Sequence, residues 1–282
     1  MPVKIYKPTT PARRQTSVVD YSGLTKKKPE KKLKKRLKKY AGRNAQGRIT
    51  VRHQGGGAKK IYRQVDFTRN RFEQEAEVLA LEYDPNRTGF IALIRYTDGQ
   101  KSYILAPQGL KNGEKIISSR GKTEIKPGNR LPLKYIPAGL TVYNVELNPG
   151  QGGRIVRSAG AGAVLQSFDE KYANLKMPST EIRRVPKDCL ATIGQVSNVD
   201  KKNIRIGKAG RVRHQGIRPT VRGKAMNPCD HPHGGGEGSQ PIGLKHPKTP
   251  WGKPAIGKIT RKKGKKSDRL IIKKRSKKRR RK

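Results

Sequence analysis

The sequence predicts a mainly β protein: two compact β domains between long, basic, non-globular N- and C-terminal extensions. Short apolar runs of strand length alternate with Gly- and Pro-rich turns along the middle of the chain. Apolar residues make up only 32% of the chain, against roughly 45 to 50% in soluble domains, so part of it lies outside any core. Residues 66–146 hold 12 Lys and Arg against 10 Asp and Glu, and the remainder holds 55 against 10. We therefore expect the middle to fold and the ends to bind a polyanion.

The first β domain is predicted from three apolar runs that lie close together: VLALEY (78–83), FIALIRY (90–96) and KSYILA (101–106). Each run has the length of a strand, and Asp98 and Gly99 between the last two are a strong hairpin signal. We therefore expect an antiparallel β-meander. The pair Asn112 and Gly113 then predicts a further turn into the short apolar run KIIS.

A second β domain is predicted after a break around Pro127 and Gly128. Strand candidates follow with Gly or Pro between them: LTVYNVEL (140–147), RIVRSAG (154–160), AVLQSF (163–168), NLKMP (174–178), TEIRRVP (180–186) and CLATIGQVS (189–197). This spacing favours small barrels over a parallel α/β sheet. The chain is thus divided into four parts: a basic N-terminal extension (1–59), a first β-barrel (60–125), a second β-barrel (126–202) and a Gly-, Pro-, Lys- and Arg-rich extension (203–282).

The extensions hold the densest positive charge. Residues 26–39, KKKPEKKLKKRLKK, contain ten basic residues and one Glu, and Leu33 and Leu37 have the i,i+4 spacing of a helix. A helix on RNA and a solvated, disordered run both fit, because like charges this dense repel until phosphates neutralise them. Residues 261–282 contain 15 basic residues and one acid, which suits phosphate binding without sequence recognition. A nuclear-localisation signal is the alternative for this run.

Composition also limits the compartment and the class of partner. The net charge of +47 calls for a polyanion, and no apolar run approaches the ~18 residues of a spanning helix, so we predict no membrane partner. The N-terminus lacks an apolar signal-peptide core, and Cys189 and Cys229 make no disulfide framework. We expect an intracellular, reducing compartment. An organellar one stays open, because a basic leader also resembles a transit segment.

The segment from Arg218 to Gly238, RPTVRGKAMNPCDHPHGGGEG, is the strongest candidate for a functional site. Its glycines and prolines suit a chain moulded against an external surface. Cys229, His231 and His233 are spaced poorly for zinc, so we predict no metal and no cofactor. His231 is a candidate for acid–base chemistry. Without a folded frame, however, these groups are expected to contact phosphates, 2′-hydroxyls or the amides of the loop.

Three further features are candidates for RNA contact. The sequence VRHQG occurs at 51–55 and again at 212–216, either by chance or because each copy presents an Arg to a phosphate and a His to an unpaired base. The patches GGGAKK (55–60) and HGGGEG (233–238) lack the pattern of a P-loop, and contact with RNA phosphates suits them better. Trp251, the only tryptophan, is either a stacking platform or a plug on a barrel.

These residues resemble a known family. The segment 218–238 followed by KTPWG is similar to the signature of large-subunit ribosomal protein two, in its bacterial or organellar form. Further blocks from about Lys4 to the C-terminus resemble the same family: GRITVRHQGGGAKK, LEYDPNRTGFIAL, YILAPQGL, KPGNRLPL, GGRIVRSAGAGA and GKAG. The resemblance implies an OB-fold barrel followed by an SH3-like barrel, with extended ends that penetrate ribosomal RNA.

The resemblance also implies a primary rRNA-binding protein that supports subunit association, transfer-RNA binding and the peptidyl-transferase centre, and that is not itself an enzyme. Its partners would be large-subunit rRNA, neighbouring ribosomal proteins, small-subunit rRNA across the subunit interface and, indirectly, transfer RNA. The ribosome of a bacterial cytoplasm or of an organelle would be its location. The family residue long suspected of catalysis corresponds to His231, which we interpret as structural support. The RNA contacts we expect are Arg52, His53, Lys59, Lys60, Arg218, Arg222, Lys224, His231, His233 and Trp251.

Two other functions stay open. His231 acting directly as a general acid or base would make the chain a participant in peptidyl transfer. The charge alone would also permit a general nucleic-acid condenser, which would bind duplex DNA as well as rRNA. In each of these interpretations the extensions are expected to be disordered without nucleic acid.

Overall fold

The computed structural model describes residues 3–25, 28–238, 240–257, 259–262 and 264–275. The strands, in chain order, are β1 (Val3–Ile5), β2 (Ser17–Val19), β3 (Lys34–Arg36), β4 (Ile61–Arg63), β5 (Glu75–Glu82), β6 (Ile91–Tyr96), β7 (Lys101–Leu105), β8 (Lys115–Ile117), β9 (Arg130–Pro132), β10 (Thr141–Tyr143), β11 (Ala163–Phe168), β12 (Tyr172–Lys176), β13 (Ile182–Pro186), β14 (Leu190–Ile193) and β15 (Ile271–Lys273). The α-helices are α1 (Pro11–Arg14) and α2 (Ala209–His214), and short 3₁₀ helices span Lys31–Leu33, Leu133–Tyr135, Val199–Asn203, Gly223–Ala225 and Lys266–Leu270. The predicted mainly β fold class is confirmed.

The chain forms two compact units. The core unit comprises Met1–Lys38, Lys59–Lys208 and Ser267–Lys282, and the arm unit comprises Lys39–Ala58 and Ala209–Lys266. Every buried apolar side chain among the described residues belongs to the core unit. The described part of the arm unit therefore has no apolar core.

The first sheet is the predicted meander. Its strand order is β7-β6-β5-β8, with antiparallel pairing throughout. Strand β5 alternates between buried and less buried side chains, so one face packs on a core that includes Val78 and Ile94. The predicted turn lies between β6 and β7, where Gly99 has a φ of +79° and its amide donates to the Tyr96 carbonyl at 2.9 Å. The Asn112–Gly113 turn also leads into β8, as expected.

The second sheet has seven strands in the order β15-β13-β12-β11-β10-β14-β9. Four of its strands lie within predicted runs: β10, β11, β13 and β14. The run RIVRSAG does not form a strand; its strand-like pairing is an isolated bridge between Val145 and Ile155. Strand β15 was not predicted, because three residues inside a basic tract show no alternating pattern. It pairs with the edge of β13, where Arg183 lies opposite Ile271.

Within the core unit, hydrogen bonds join the two sheets. The Tyr143 hydroxyl donates to the Leu105 carbonyl at 3.1 Å, and the Phe90 amide donates to Ser197 Oγ, also at 3.1 Å. Leu105, which ends β7 of the first sheet, packs in the apolar core of the second. The two sheets thus share buried contacts.

A buried ion pair fixes the second sheet at its β9 edge. Arg130 Nη2 donates to Glu146 Oε1 at 2.9 Å, and both side chains are almost completely buried. Burial lowers the pKa of Arg130 to about 10, an effect that the Glu146 carboxylate opposes. The carboxylate also accepts hydrogen bonds from the amides of Gly152 and Leu190, at 3.0 and 3.1 Å. Glu146 is therefore fully engaged inside the fold.

The N-terminal extension is partly built into the core unit. Val19 and Leu24 are buried in the apolar core of the first sheet. Of the run 26–39, Lys26 and Lys27 lie outside the described residues, and the helix considered for the rest is wrong. Lys34–Arg36 is instead a strand paired antiparallel with Ile61–Arg63, because pairing places all three basic side chains in solvent while satisfying the backbone.

Two further observations bear on the class of protein. Among the described residues, no helix is both long and apolar enough to span a bilayer. Cys189 is buried and Cys229 is exposed, and both are free thiols.

Candidate nucleic-acid interface

The arm unit concentrates the features that the sequence assigns to RNA binding. Its sequence holds 18 Lys and Arg against two Asp and Glu. All five histidines and the single tryptophan of the chain also lie in it. A charge this one-sided, without an apolar core, favours a polyanionic partner.

The segments that contain the two VRHQG copies are paired through their backbones. The Gly55 amide donates to the Gly216 carbonyl at 2.7 Å, and the Arg218 amide donates to the His53 carbonyl at 3.0 Å. Gln54 and Ile217 form an antiparallel bridge between these bonds. Residues 53–55 therefore run antiparallel to residues 216–218. In this register only Gly55 of the first copy lies opposite a residue of the second, Gly216, because the second copy's Val212, Arg213 and His214 lie in α2. The pairing uses backbone groups, and the Arg52, His53 and Arg218 side chains are exposed.

Glycine makes this pairing close. Gly57 has a φ of +62°, and a Cβ there would lie 2.8 Å from the His214 carbonyl oxygen and 2.9 Å from the Gly216 nitrogen. Next to it, the Ala58 amide donates to the His214 carbonyl at 2.8 Å. Lys39 donates its ammonium group to the Gly56 carbonyl at 2.8 Å. Gly57 thus allows two backbones to approach closely. The sequence had indicated phosphate contact for the patch that contains it.

His231 is buried in the loop of the candidate segment, with 7% of its surface exposed. A Cβ on Gly223 would lie 2.4–2.5 Å from the ring atoms Cε1, Nδ1 and Nε2, so Gly223 lies over the flat face of the imidazole. Nδ1 accepts a hydrogen bond from the His233 amide at 3.0 Å. The neutral ring therefore carries its proton on Nε2.

Backbone hydrogen bonds close the same loop around His231. Its amide donates to the Asn227 carbonyl at 3.2 Å, and its carbonyl accepts from the Gly234 amide at 2.8 Å. A Cβ on Gly234 would lie 2.2 Å from the Asn227 carbonyl oxygen, so only glycine fits there. His233 Nε2 accepts from the Lys248 amide at 2.9 Å, which ties the loop to the turn that carries the tryptophan. The segment expected to depend on a partner for its shape thus has internal restraints.

Trp251 lies at the tip of that turn and is 73% exposed. The Arg52 guanidinium lies over its ring, 5.5 Å from the centroid. A plug buried against a barrel is therefore wrong for Trp251, because most of its surface faces solvent.

The remaining expected contacts occupy different places. Arg218 and Arg222 are exposed in the arm unit, and the Lys224 ammonium group donates to the Gln240 carbonyl at 3.0 Å. Lys59 and Lys60 belong to the core unit. The structure thus brings together Arg52 with Trp251, His53 with Arg218, and His231 with His233.

Metal ligation has no support in the described part of the chain. There, no group of three or more His, Cys, Asp or Glu side chains is placed to hold an ion. Around the candidate loop, Nδ1 of His231 and Nε2 of His233 accept backbone hydrogen bonds instead.

Two family models match the chain. The model described as Ribosomal Proteins L2, RNA binding N-terminal domain matches residues 30–118, and Ribosomal Proteins L2, C-terminal domain matches residues 126–252. The chain belongs to the ribosomal protein L2 family. It is therefore a structural, RNA-binding protein of the large ribosomal subunit, with rRNA and ribosomal proteins as partners and the ribosome as its location.

The matches also agree with the fold. The four-stranded sheet lies in the N-terminal L2 domain and most of the seven-stranded sheet in the C-terminal one, and these domains are consistent with OB and SH3-like folds. The two halves of the arm unit are divided between the matches, with Lys39–Ala58 in the first and most of Ala209–Lys266 in the second.

Sequence reasoning missed some residues that shape this interface. Lys39 and Gly57 hold the paired segments, and Gly223 supports His231. The glycine-rich composition was a signal that backbones approach closely. It did not identify the second backbone as another part of the same chain.

Proposed function

We propose that this L2 protein is a primary rRNA-binding component that supports subunit association, transfer-RNA binding and the architecture of the peptidyl-transferase centre. In this proposal residues 60–125 and 126–202 form the two barrels that lie on the RNA surface. The arm unit enters the RNA, contacts small-subunit rRNA across the subunit interface and affects transfer RNA indirectly. A bacterial or organellar ribosome is the proposed location.

The observation that carries the proposal is the combination of internal backbone pairing and outward charge in the arm unit. Residues 53–55 and 216–218 pair through their backbone groups, while the Arg52 and Arg218 side chains remain exposed. Guanidinium groups held on an ordered backbone can bind phosphates with little loss of side-chain entropy. The binding unit in this proposal is therefore composite. It combines a segment that precedes the folded middle of the chain with one that follows it.

For His231 we propose a supporting role and no direct catalysis. A general acid or base needs a ring nitrogen within reach of the reacting proton. Nδ1 of His231 is occupied by the His233 amide, Gly223 covers the ring, and the residue is almost buried. These contacts favour a side chain that holds the loop in shape for chemistry carried out by RNA.

Replacing His231 with Gln tests this role. We expect large-subunit particles to lose assembly and peptidyl transfer in parallel, because the loop loses its packing. If particles with His231→Gln assemble normally while single-turnover peptide transfer slows by about 10²- to 10⁴-fold, His231 acts as an acid or base and the proposal fails.

A competition assay tests the rRNA preference itself. The full chain is bound to large-subunit rRNA and challenged with an equal phosphate concentration of duplex DNA. We expect rRNA to remain bound, because the barrels and the glycine-closed loop contribute shape in addition to charge. Equal displacement by duplex DNA would instead identify a general condenser.

A further inference from the structure

Trp251 presents a large aromatic surface to solvent. It is the only tryptophan of the chain and is 73% exposed. An exposed indole forgoes the favourable free energy that burial of an aromatic side chain provides. On a protein that functions inside a ribonucleoprotein, such a surface is suited to contact with a partner.

The turn that carries Trp251 is closed by its own backbone. The Thr249 amide donates to the Lys253 carbonyl at 2.7 Å, and the Gly252 amide donates to the Thr249 carbonyl at 2.9 Å. Gly252 has a φ of +72°, and an antiparallel bridge joins Lys248 to Pro254. The indole is therefore held out from a structured turn, which lowers the entropic cost of binding through it.

One face of the indole is already in contact with a cation. The Arg52 guanidinium lies 5.5 Å from the ring centroid. Arg52 directly precedes the paired residues 53–55, where the His53 carbonyl accepts a hydrogen bond from the Arg218 amide. Cation–π attraction to Trp fixes the ring further. With 73% of the residue exposed, the opposite face is left for a ligand.

The surroundings select the chemistry of that ligand. Lys248 and Lys253 flank the turn, and both are exposed. The arm unit as a whole holds 18 basic residues against two acidic ones, which disfavours a cationic partner. A flat π-system joined to anionic groups fits best, and an unpaired nucleotide has both.

We propose that Trp251, backed by Arg52, is the stacking platform for one unpaired RNA base, with Lys248 and Lys253 binding the flanking phosphates. This inference rests on the proposed rRNA-binding function and adds a base contact to phosphate binding. Stacking of this kind tolerates any base, because every base has a π-face. Trp251 thus distinguishes unpaired from fully paired RNA without reading sequence.

The single tryptophan makes the test direct. The full chain is titrated with an unstructured oligoadenylate, and with an abasic ribose–phosphate oligomer of equal length and charge, while tryptophan fluorescence is recorded. We expect quenching by oligoadenylate and little change with the abasic oligomer. Trp251→Ala should weaken oligoadenylate binding by about 5- to 150-fold, the fold-change that stacking of one base supplies. It should leave abasic binding unchanged.

Two control variants separate stacking from other contacts. Ile256→Ala removes an apolar side chain that is 70% exposed in the same unit, and it should leave both affinities unchanged. Trp251→Phe should keep most of the base-dependent affinity.

If both oligomers bind equally and Trp251→Ala changes neither affinity, stacking is refuted while phosphate binding stands. If neither oligomer binds, the phosphate contacts proposed for the arm unit fail together with the stacking. Loss of a neighbouring ribosomal protein from Trp251→Ala particles, with RNA affinity intact, would assign the surface to a protein and overturn the inference.

Discussion

The Gly55 amide donates a 2.7 Å hydrogen bond to the Gly216 carbonyl, and this bond joins two copies of VRHQG that flank the folded middle of the chain. Neither of the arm-unit segments, Lys39–Ala58 and Ala209–Lys266, holds a buried apolar side chain among its described residues. Each instead provides backbone donors and acceptors for the other. The surface that we propose binds RNA is therefore composite, and a change in one of the two segments should affect the other.

Replacing Gly57 with Ala should break this pairing. The added Cβ would lie 2.8 Å from the His214 carbonyl oxygen, at a φ of +62° that costs an alanine about 1–2 kcal/mol. In the chain bound to large-subunit rRNA, hydrogen exchange at the Ala58 and Arg218 amides should accelerate about tenfold or more. Gly56→Ala is the matched control, because nothing lies within 4 Å of its Cβ position. Equal exchange in the two variants would refute the pairing.

Replacing Gly223 with Ala should displace the His231 ring. The new methyl group would lie 2.4–2.5 Å from three ring atoms, and the closed loop leaves the ring little room to move. Acylation of His231 by a histidine reagent should speed up, as read by mass spectrometry. Gly210→Ala serves as the control, since its Cβ position in α2 is open and alanine favours a helix. An unchanged His231 reactivity in Gly223→Ala would contradict this geometry.

Glu146→Gln should destabilise the core unit strongly. The substitution leaves Arg130 buried without a counter-charge. It also places the NH2 group of the glutamine side chain against backbone amides that donated to the carboxylate. Together these effects cost about 3–5 kcal/mol in the free energy of unfolding. Denaturant titration measures this. Glu75→Gln removes one partner of an exposed ion pair with Lys115 and should change stability little. If the two variants lose similar amounts of unfolding free energy, Arg130 is not buried against Glu146 in the way the structure shows.

The two cysteines should differ sharply in reactivity. Burial raises the pKa of Cys189 from 9.0 to about 12, whereas Cys229 is exposed. Iodoacetamide should therefore label Cys229 alone in the native chain and both thiols in denaturant. Because the pKa of Cys189 is higher in the folded state, its contribution to stability is complete below pH 9.0 and is lost as the pH rises towards about 12. Native labelling of Cys189 would show that its pocket opens.

Local patterns predicted the sheets well. The runs that became β5, β6 and β7 alternate or stay apolar over strand length, and the Asp98–Gly99 turn fixes their order. These strands and this turn are determined by residues close together in the sequence, so a local pattern reveals them. Strand β15 depends on an edge of β13 formed far earlier in the chain, so its own three residues carry no signal.

The sequence predicted which residues make up the candidate site but did not predict how they are arranged in space. The basic residues, His231 and Trp251 were named from the sequence, and the family explains why they occur together. The antiparallel pairing of residues 53–55 with residues 216–218 was not predicted, because a repeated pentapeptide does not reveal which segments meet. The cover that Gly223 provides over His231 was also missed, since close approach is a property of two segments in space.

The salt dependence of binding to isolated large-subunit rRNA tests the composite arm unit most directly. We predict a steep, linear fall of log affinity with log salt concentration for the full chain, because its Lys and Arg side chains release counterions from phosphates. Replacing both Arg52 and Arg218 with Gln should make that slope shallower by about 2, one for each phosphate contact. A flat response of the full chain, or an unchanged slope in the double variant, would contradict the account.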